Sequence, residues 1–509
     1  MQPVPEIVIS KSKFIAGVQC LKRLYLQVHA PDLTGDLDDS DNARFKQGLE
    51  VGLLARKAFL GGVLVEPGFL GRGSALARTT SLIGYEPVPA IFEGTFRSDG
   101  VLVRADILER QPGGRWLLIE VKSSVEPKEH YVYDLAIKRH VLAGCGLDIS
   151  SAAIMRLNLE YIYDDRQYDL SNLFTIADSA EEVRAIDVPA LLKEQRTVLA
   201  ESAAPDIQPG AQCTAPHECE FFSRCNTPKP EGHVSFLPNL RRKKLQALME
   251  GGFHSIKDIP DDFLLTEIQR RNCEAIQTGR TWVSEALQDE LAGLNFPLYF
   301  MDFESLNPAI PCFEGTWPYH QIPFQWSVHR RLEPGSALDH FEFLATDSGD
   351  PRRNFIRSLC GTLGQHGHII VYNASFESRR LSQLADWLPE FRDRIEAIVA
   401  RLWDLLPVVR NNLYHPDFHG SFSLKSVLPA LVPDLTYEGV AVANGTDAGI
   451  AWEKLVRGNL PDAEKEHLKA ALLAYCETDT LAMVRVLDEL QALSVSGRTD
   501  QKYSEAIGL

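Results

Sequence analysis

No stretch of this 509-residue chain is apolar enough to span a bilayer, and nothing near its start joins a basic segment, a long apolar run and a small-residue cleavage site. Both absences lead to the expectation of a cytoplasmic protein with no membrane partner. Positive charge is scarce as well: 52 Lys and Arg stand against 69 Asp and Glu, a formal net charge of -17. A protein that coats nucleic acid through bulk charge needs the opposite balance, because counterion release requires cations at the phosphates. Any nucleic-acid site must then be a local patch. The candidates are Lys11, Lys13, Lys22 and Arg23, then Arg241, Arg242, Lys243 and Lys244, and later Arg270, Arg271, Arg379 and Arg380, each of which, taken singly, is more often a solvated face than a binding surface. Fixed-period repeats and low-complexity tracts are also missing, which excludes solenoids and long disordered tails.

Cysteine is sparse and odd in number, nine in all, so a disulfide framework is not expected in a reducing compartment. Cys145, Cys273, Cys312, Cys360 and Cys476 lie singly in apolar contexts and read as small buried hydrophobes. The other four differ. Cys213, Cys219 and Cys225 are evenly spaced in "CTAPHECEFFSRC", and Cys20 stands far upstream in "GVQCLKRLYL". Four thiolates suit either zinc or an iron-sulfur cluster. Zinc sites favour two short-gapped knuckles, so the one-plus-three spacing points to the cluster.

With 45% hydrophobic residues the chain can bury substantial cores, and its length suggests roughly two to four domains. Proline, glycine and polar residues in "NTPKPEGHVSF" mark one boundary and "LAGLNFP" marks another, giving domains 1–230, 231–292 and 293–509. The first opens with helical periodicity and continues as short strands with SDG and PGG turns. The second reads as a helical connector. Its Gly251-Gly252 turn after a basic helix is faintly helix-hairpin-helix-like, a form whose backbone amides can hold a phosphate. The third alternates strands and helices, which implies an α/β sheet of its own.

In the first domain Asp106 sits in "VRADIL" and Glu120 and Lys122 in "LLIEVKSS". Strand alternation puts Glu120 and Lys122 on one face, and a hairpin can bring Asp106 beside them. Two carboxylates can hold Mg2+ or Mn2+, and the lysine can orient a nucleophilic water. This order of strands resembles the PD-(D/E)XK nuclease fold, in particular the RecB-like branch that includes CRISPR-associated and AddB-type nucleases. The resemblance implies that Asp106 and Glu120 bind metal and that Lys122 is catalytic. It also places Glu50, in "FKQGLEVGLLAR", near the family's first motif as a further metal ligand. The cysteine arrangement resembles that of the 4Fe-4S nucleases of the same branch, which implies that Cys20, Cys213, Cys219 and Cys225 hold the cluster as a structural staple. Where the family tends to carry a glutamine followed by a tyrosine, this chain has Lys138, Arg139 and His140.

In the third domain Asp302 and Glu304 in "YFMDFES" point to the same side of a buried strand, which is costly for two carboxylates without a cation between them. Glu377 follows the strand "HIIVYNASFE", and Asp479 lies one helical turn after Tyr475 in "YCETDT". These three ordered motifs resemble the DnaQ-like, or DEDD, 3'-to-5' exonucleases, with glutamate at position 377 where aspartate is usual. The resemblance implies an RNase H-like mixed sheet with flanking helices and a two-metal in-line displacement. Asp302, Glu304, Glu377 and Asp479 would hold Mg2+ or Mn2+, and Tyr475 would orient the attacking water or help deprotonate it. Asn373, Asp404 and the segment "GSFSLKSVLPAL" would line the cleft. The whole pattern is similar to a bacterial family that fuses these two nuclease types. The expected activity is hydrolysis of DNA ends; RNA, or a first domain serving only to bind nucleic acid, are the alternatives.

Overall fold

The computed structural model describes residues 8–34, 39–66, 72–84, 88–226, 232–436, 442 and 444–507. The chain is mixed α/β and divides into two compact units. One comprises Met1–Pro228 together with Pro308–His320, the other Lys229–Asn307 together with Gln321–Leu509. No described helix is long and apolar enough to cross a membrane.

The first unit is built on a seven-stranded mixed sheet. Strands Ala90–Ser98 and Val101–Arg110 form a hairpin whose two-residue turn, Asp99 and Gly100, has both residues at positive φ (48° and 63°). That geometry matches the right-handed twist of the flanking strands, and Asp-Gly adopts it readily. Alternation then buries Val101, Val103, Ala105 and Ile107 and leaves Arg104 outside. The next strand, Trp116–Lys122, pairs antiparallel with this hairpin on one side and parallel with Ile149–Leu157 on the other. The helix Tyr131–Gly144 joins that parallel pair and covers the sheet with Leu135, Ile137, Val141 and Leu142. Residues 308–320 belong to this unit although they connect two neighbouring strands of the other one. Ala309 packs into the apolar cluster of Ile107, Ile119 and Met155, and the Tyr319 hydroxyl donates to the Ser123 carbonyl at 2.6 Å.

The second unit holds a five-stranded sheet in the order 338–344, 322–331, 298–306, 369–371, 402–404. The first three strands are antiparallel and the last two join parallel. The last helix, Asp462–Ile507, buries Leu472, Tyr475, Cys476, Met483, Leu487 and Leu490, a stripe at three- and four-residue intervals. Residues 232–292 lie in this unit too. There the helix Glu267–Thr278 starts with a reciprocal Thr266–Gln269 capping box and ends at a left-handed Gly279. Cys273, Cys360 and Cys476 are buried, but Cys145 is exposed at the end of its helix and donates to the Arg97 carbonyl, which corrects its reading as a core residue.

Candidate functional site

Side-chain alternation in the central strand Leu298–Leu306 places Asp302 and Glu304 on one face, and the last helix lays Asp479 against them. The three residues offer carboxylate oxygens that all lie within 4.8 Å of one another. Glu377 enters from the first turn of the helix Ser375–Trp387 and is buried, with its Oε2 atom lacking any hydrogen-bond partner. A buried carboxylate oxygen without a donor, beside three clustered carboxylates, is a donor set that fits a divalent cation. Burial pushes the Asp302 carboxyl up to about 8, with the Asp479 charge adding to it. Burial likewise pushes Glu377 up to about 9, with the Asp302 charge adding to it. Burial, Asp302 and Asp479 also raise Glu304.

Tyr475 lies one turn before Asp479, and burial followed by the charges of Asp479, Glu304 and Asp302 raises its hydroxyl above the ordinary phenol range. It therefore stays a phenol at neutral pH. The Lys425 ammonium donates to the Tyr475 oxygen at 3.3 Å and sits over its ring, which leaves the phenolic proton to be given elsewhere in the site. Lys425 is a residue that the sequence reading did not single out, although it lies in the segment expected to line the cleft.

Asp404 has a positioning role. At the end of the strand Leu402–Asp404 its carboxylate accepts from the backbone N–H groups of Asn373 and Ala374, both at 2.9 Å, and of Leu406 at 3.1 Å. Asn373 is held at φ 82°, a left-handed conformation that Asn tolerates, and this turn aims the helix carrying Glu377. Replacing Asp404 by alanine is expected to cost about 1–3 kcal/mol of stability through unsatisfied backbone donors. The same change should weaken divalent-cation binding about tenfold or more through misplacement of Glu377. Asp404→Asn, which keeps one acceptor, should recover part of the affinity; unchanged cation binding in the alanine variant would contradict the positioning role.

The raised carboxyls give the unit a pH signature. Without a divalent cation the folded state keeps protons on Asp302 and Glu377 that the unfolded chain has released by about pH 5. The native state then binds more protons than the unfolded one, so stability falls as pH rises toward those values. In chelator the unfolding midpoint should drop between about pH 7 and 9, above the range in which histidines titrate, and added Mg2+ should reduce the drop. A midpoint that holds steady or rises over that interval would contradict the burial of these carboxyls.

In the first unit Asp106, Glu120 and Lys122 converge. The Val121 N–H donates to Asp106 Oδ2 at 3.0 Å and Lys122 Nζ to Glu120 Oε1 at 2.9 Å. Two more ammonium groups enter the cluster. Lys138, on the covering helix and only 1% exposed, donates to Asp106 Oδ1 at 2.8 Å and also to Glu120 Oε2. Lys11 stands 3.5 Å from Glu120 and 3.6 Å from Asp134, and Asp134 accepts from Lys122 as well. Burial pushes Glu120 up, but Lys122, Lys138 and Lys11 together hold it well below the usual carboxylate range. Three ammoniums thus balance three carboxylates. A divalent ion between Asp106 and Glu120 would have to displace Lys138 and strand its buried charge, so these residues do not fit such an ion. Glu50 is not brought to the cluster: it is exposed and pairs with Lys46 at 4.0 Å.

Cys20, Cys213, Cys219 and Cys225 line a single recess. Around it Gln19 donates to the carbonyls of Gln212 at 2.6 Å and His217 at 2.7 Å, and Arg23 pairs with Glu220 at 2.8 Å, so the first two helices are tied to the end of the unit. Tetrahedral zinc draws its thiolates to about 3.8 Å of one another. Among the described residues, no group of three donors within 4.8 Å of each other includes a cysteine. The four thiols share this recess without forming a group that tight, so as they stand they do not fit a tetrahedral zinc ion.

Several residues considered for a basic patch are used internally. Arg271 is buried, donates to the Asn411 carbonyl at 2.6 Å and lies over Trp282; Arg380 is buried over Phe376. Arg241, Lys243, Arg270 and Arg379 are exposed, and the side chain of Arg242 lies outside the described residues.

A family described as a domain of unknown function, DUF2779, matches residues 299–423. The matched span contains Asp302, Glu304, Glu377 and Asp404 and ends before Lys425, Tyr475 and Asp479. The chain is similar to uncharacterized protein UU173 of Ureaplasma parvum serovar 3, with 25% identity over 44% of this chain and 36% of the relative. It is also similar to the uncharacterized protein MG366 homolog of Mycoplasma pneumoniae, with 23% identity over 37% of this chain and 31% of the relative. The chain thus spans about a third of the length of these curated relatives. Among solved structures, one titled "Crystal structure of SSO0001" aligns over 43% of this chain and 85% of its own, with 17% identity and a TM-score of 0.18.

Proposed function

We propose that the chain is a metal-dependent nuclease whose hydrolytic centre is the carboxylate set of the second unit, in an RNase H-like domain of DnaQ type. The observation that carries this reading is the convergence of Asp302, Glu304 and Asp479 within 4.8 Å, with the unpartnered buried oxygen of Glu377 beside them. Mg2+ or Mn2+ held by these four residues supplies Lewis acidity and a water of lowered pKa. The chain's own groups do the rest. Tyr475 keeps its proton and donates it to orient the attacking water, while Lys425 fixes the phenol and offers positive charge to a phosphate. Asp404 holds the turn that aims Glu377.

DNA ends are the proposed substrate, cleaved from the 3' end, with RNA as the alternative. The first unit is proposed as a RecB-like PD-(D/E)XK module stapled by a 4Fe-4S cluster on Cys20, Cys213, Cys219 and Cys225. The neutral cluster around Lys138 favours its serving to hold nucleic acid rather than to cut it. Digestion of end-labelled single- and double-stranded DNA and RNA in Mg2+ and in Mn2+ tests the proposal and reads substrate, polarity and need for an end together. Mononucleotide release from 3' ends of DNA is expected; intact substrates in every arm would refute the hydrolytic reading.

A further inference from the structure

We propose that His329, His340 and Glu477 form a second cation site, suited to a zinc-like divalent ion, which pins the last helix to the sheet. His329 and His340 are directly opposite on the antiparallel strands Ile322–Arg331 and Leu338–Leu344, with ring centroids 4.5 Å apart. Glu477 comes from the last helix, and His340 Nδ1 is 3.7 Å from its Oε1 atom. The three residues offer ligand atoms that all lie within 4.8 Å of one another.

Hydroxyls behind the rings anchor one nitrogen of each. Thr480 Oγ1 lies 2.8 Å from His329 Nδ1, so a hydrogen bond holds that ring nitrogen. Ser327 Oγ lies 2.9 Å from Thr480 Oγ1 and 3.0 Å from His340 Nε2. Each imidazole thus has one nitrogen held by a hydroxyl and one left to face a ligand, with His340 Nδ1 3.7 Å from Glu477 Oε1. Ring nitrogens anchored in this way are the usual second layer of a metal site. Two nitrogens and one carboxylate oxygen suit zinc with a further position open to water, whereas the all-oxygen centre at Asp302 suits Mg2+ or Mn2+. Glu477 is 47% exposed, so an ion can enter from solvent.

The test counts zinc rather than turnover, so it stands apart from the hydrolytic reading. Full-length Asp302→Asn protein, which lacks the neighbouring carboxylate centre, is stripped with chelator, dialysed against Zn2+ and analysed for metal. Adding His340→Gln should remove about one zinc ion per chain. Glu477→Gln, at an exposed position that cannot unfold the protein, should weaken zinc binding about tenfold or more in competition with a chromophoric chelator. Equal zinc content and affinity with and without Glu477→Gln would overturn the proposal and leave a simple His340–Glu477 ion pair.

Discussion

Asp302→Asn is expected to lower nucleic-acid hydrolysis by on the order of 10³-fold or more, because it removes a charged ligand from the centre of the carboxylate set. The same change should not weaken the metal-free fold. Burial and the Asp479 charge push the Asp302 carboxyl up to about 8, so in the metal-free protein at neutral pH the neutral amide replaces a group that is already mostly protonated. In chelator the variant should melt at or above the wild-type temperature, which separates a catalytic loss from an unfolding one. Glu120→Gln is the counterpart in the first unit. Glu120 is neutralised by Lys122, Lys138 and Lys11, so this change should loosen the ion cluster while hydrolysis persists. Loss of all cleavage in Glu120→Gln with a folded protein would instead assign the chemistry to the first unit.

Cys219→Ser is expected to bleach the protein and to lower the unfolding midpoint of the first unit by about 10 °C or more, since metal binding and folding share one free energy. The chain should purify brown, with iron and sulfide, and the variant should lose both. Cys219 is buried in the recess shared with Cys20, Cys213 and Cys225, and a cluster held by these four would tie the first two helices to residues 211–225. The hydrogen bonds that Gln19, Arg23 and Gln27 make to residues 212–220 would remain, each contributing about 0.5–3 kcal/mol against about 10 kcal/mol or more for a bound structural metal. Cys145→Ser is the control: its thiol is exposed and far from the recess in sequence, and it should change neither colour nor melting. A colourless wild-type protein with stoichiometric zinc, or an unchanged midpoint in Cys219→Ser, would sink the cluster.

What could be read in the sequence was governed by short-range periodicity. Period two places Asp302 and Glu304 on one face of a strand, one helical turn relates Tyr475 to Asp479, and Asp99-Gly100 marks a hairpin turn. Contacts set by tertiary approach were not legible. Lys138 sits among apolar helix residues, and only the packing of that helix on the sheet shows its ammonium between Asp106 and Glu120. Asp404 reads as an ordinary strand-end acid until its three backbone donors are seen. His329 and His340 meet only through hairpin register, and neither carries a motif. The sequence boundaries at 230 and 292 follow composition, which says nothing of a segment such as 308–320 that leaves one unit between adjacent strands and belongs to the other.

The hydrolytic assignment is tested most directly by measuring Mn2+ binding and the cleavage rate of 3'-end-labelled DNA on the same preparations of wild type, Asp302→Asn and Glu120→Gln. The expected result is a rate that rises and saturates with Mn2+ occupancy in wild type and Glu120→Gln, while Asp302→Asn loses both the bound ion and the rate. A rate that persists in chelator, or Mn2+ binding and cleavage left intact by Asp302→Asn, would contradict it.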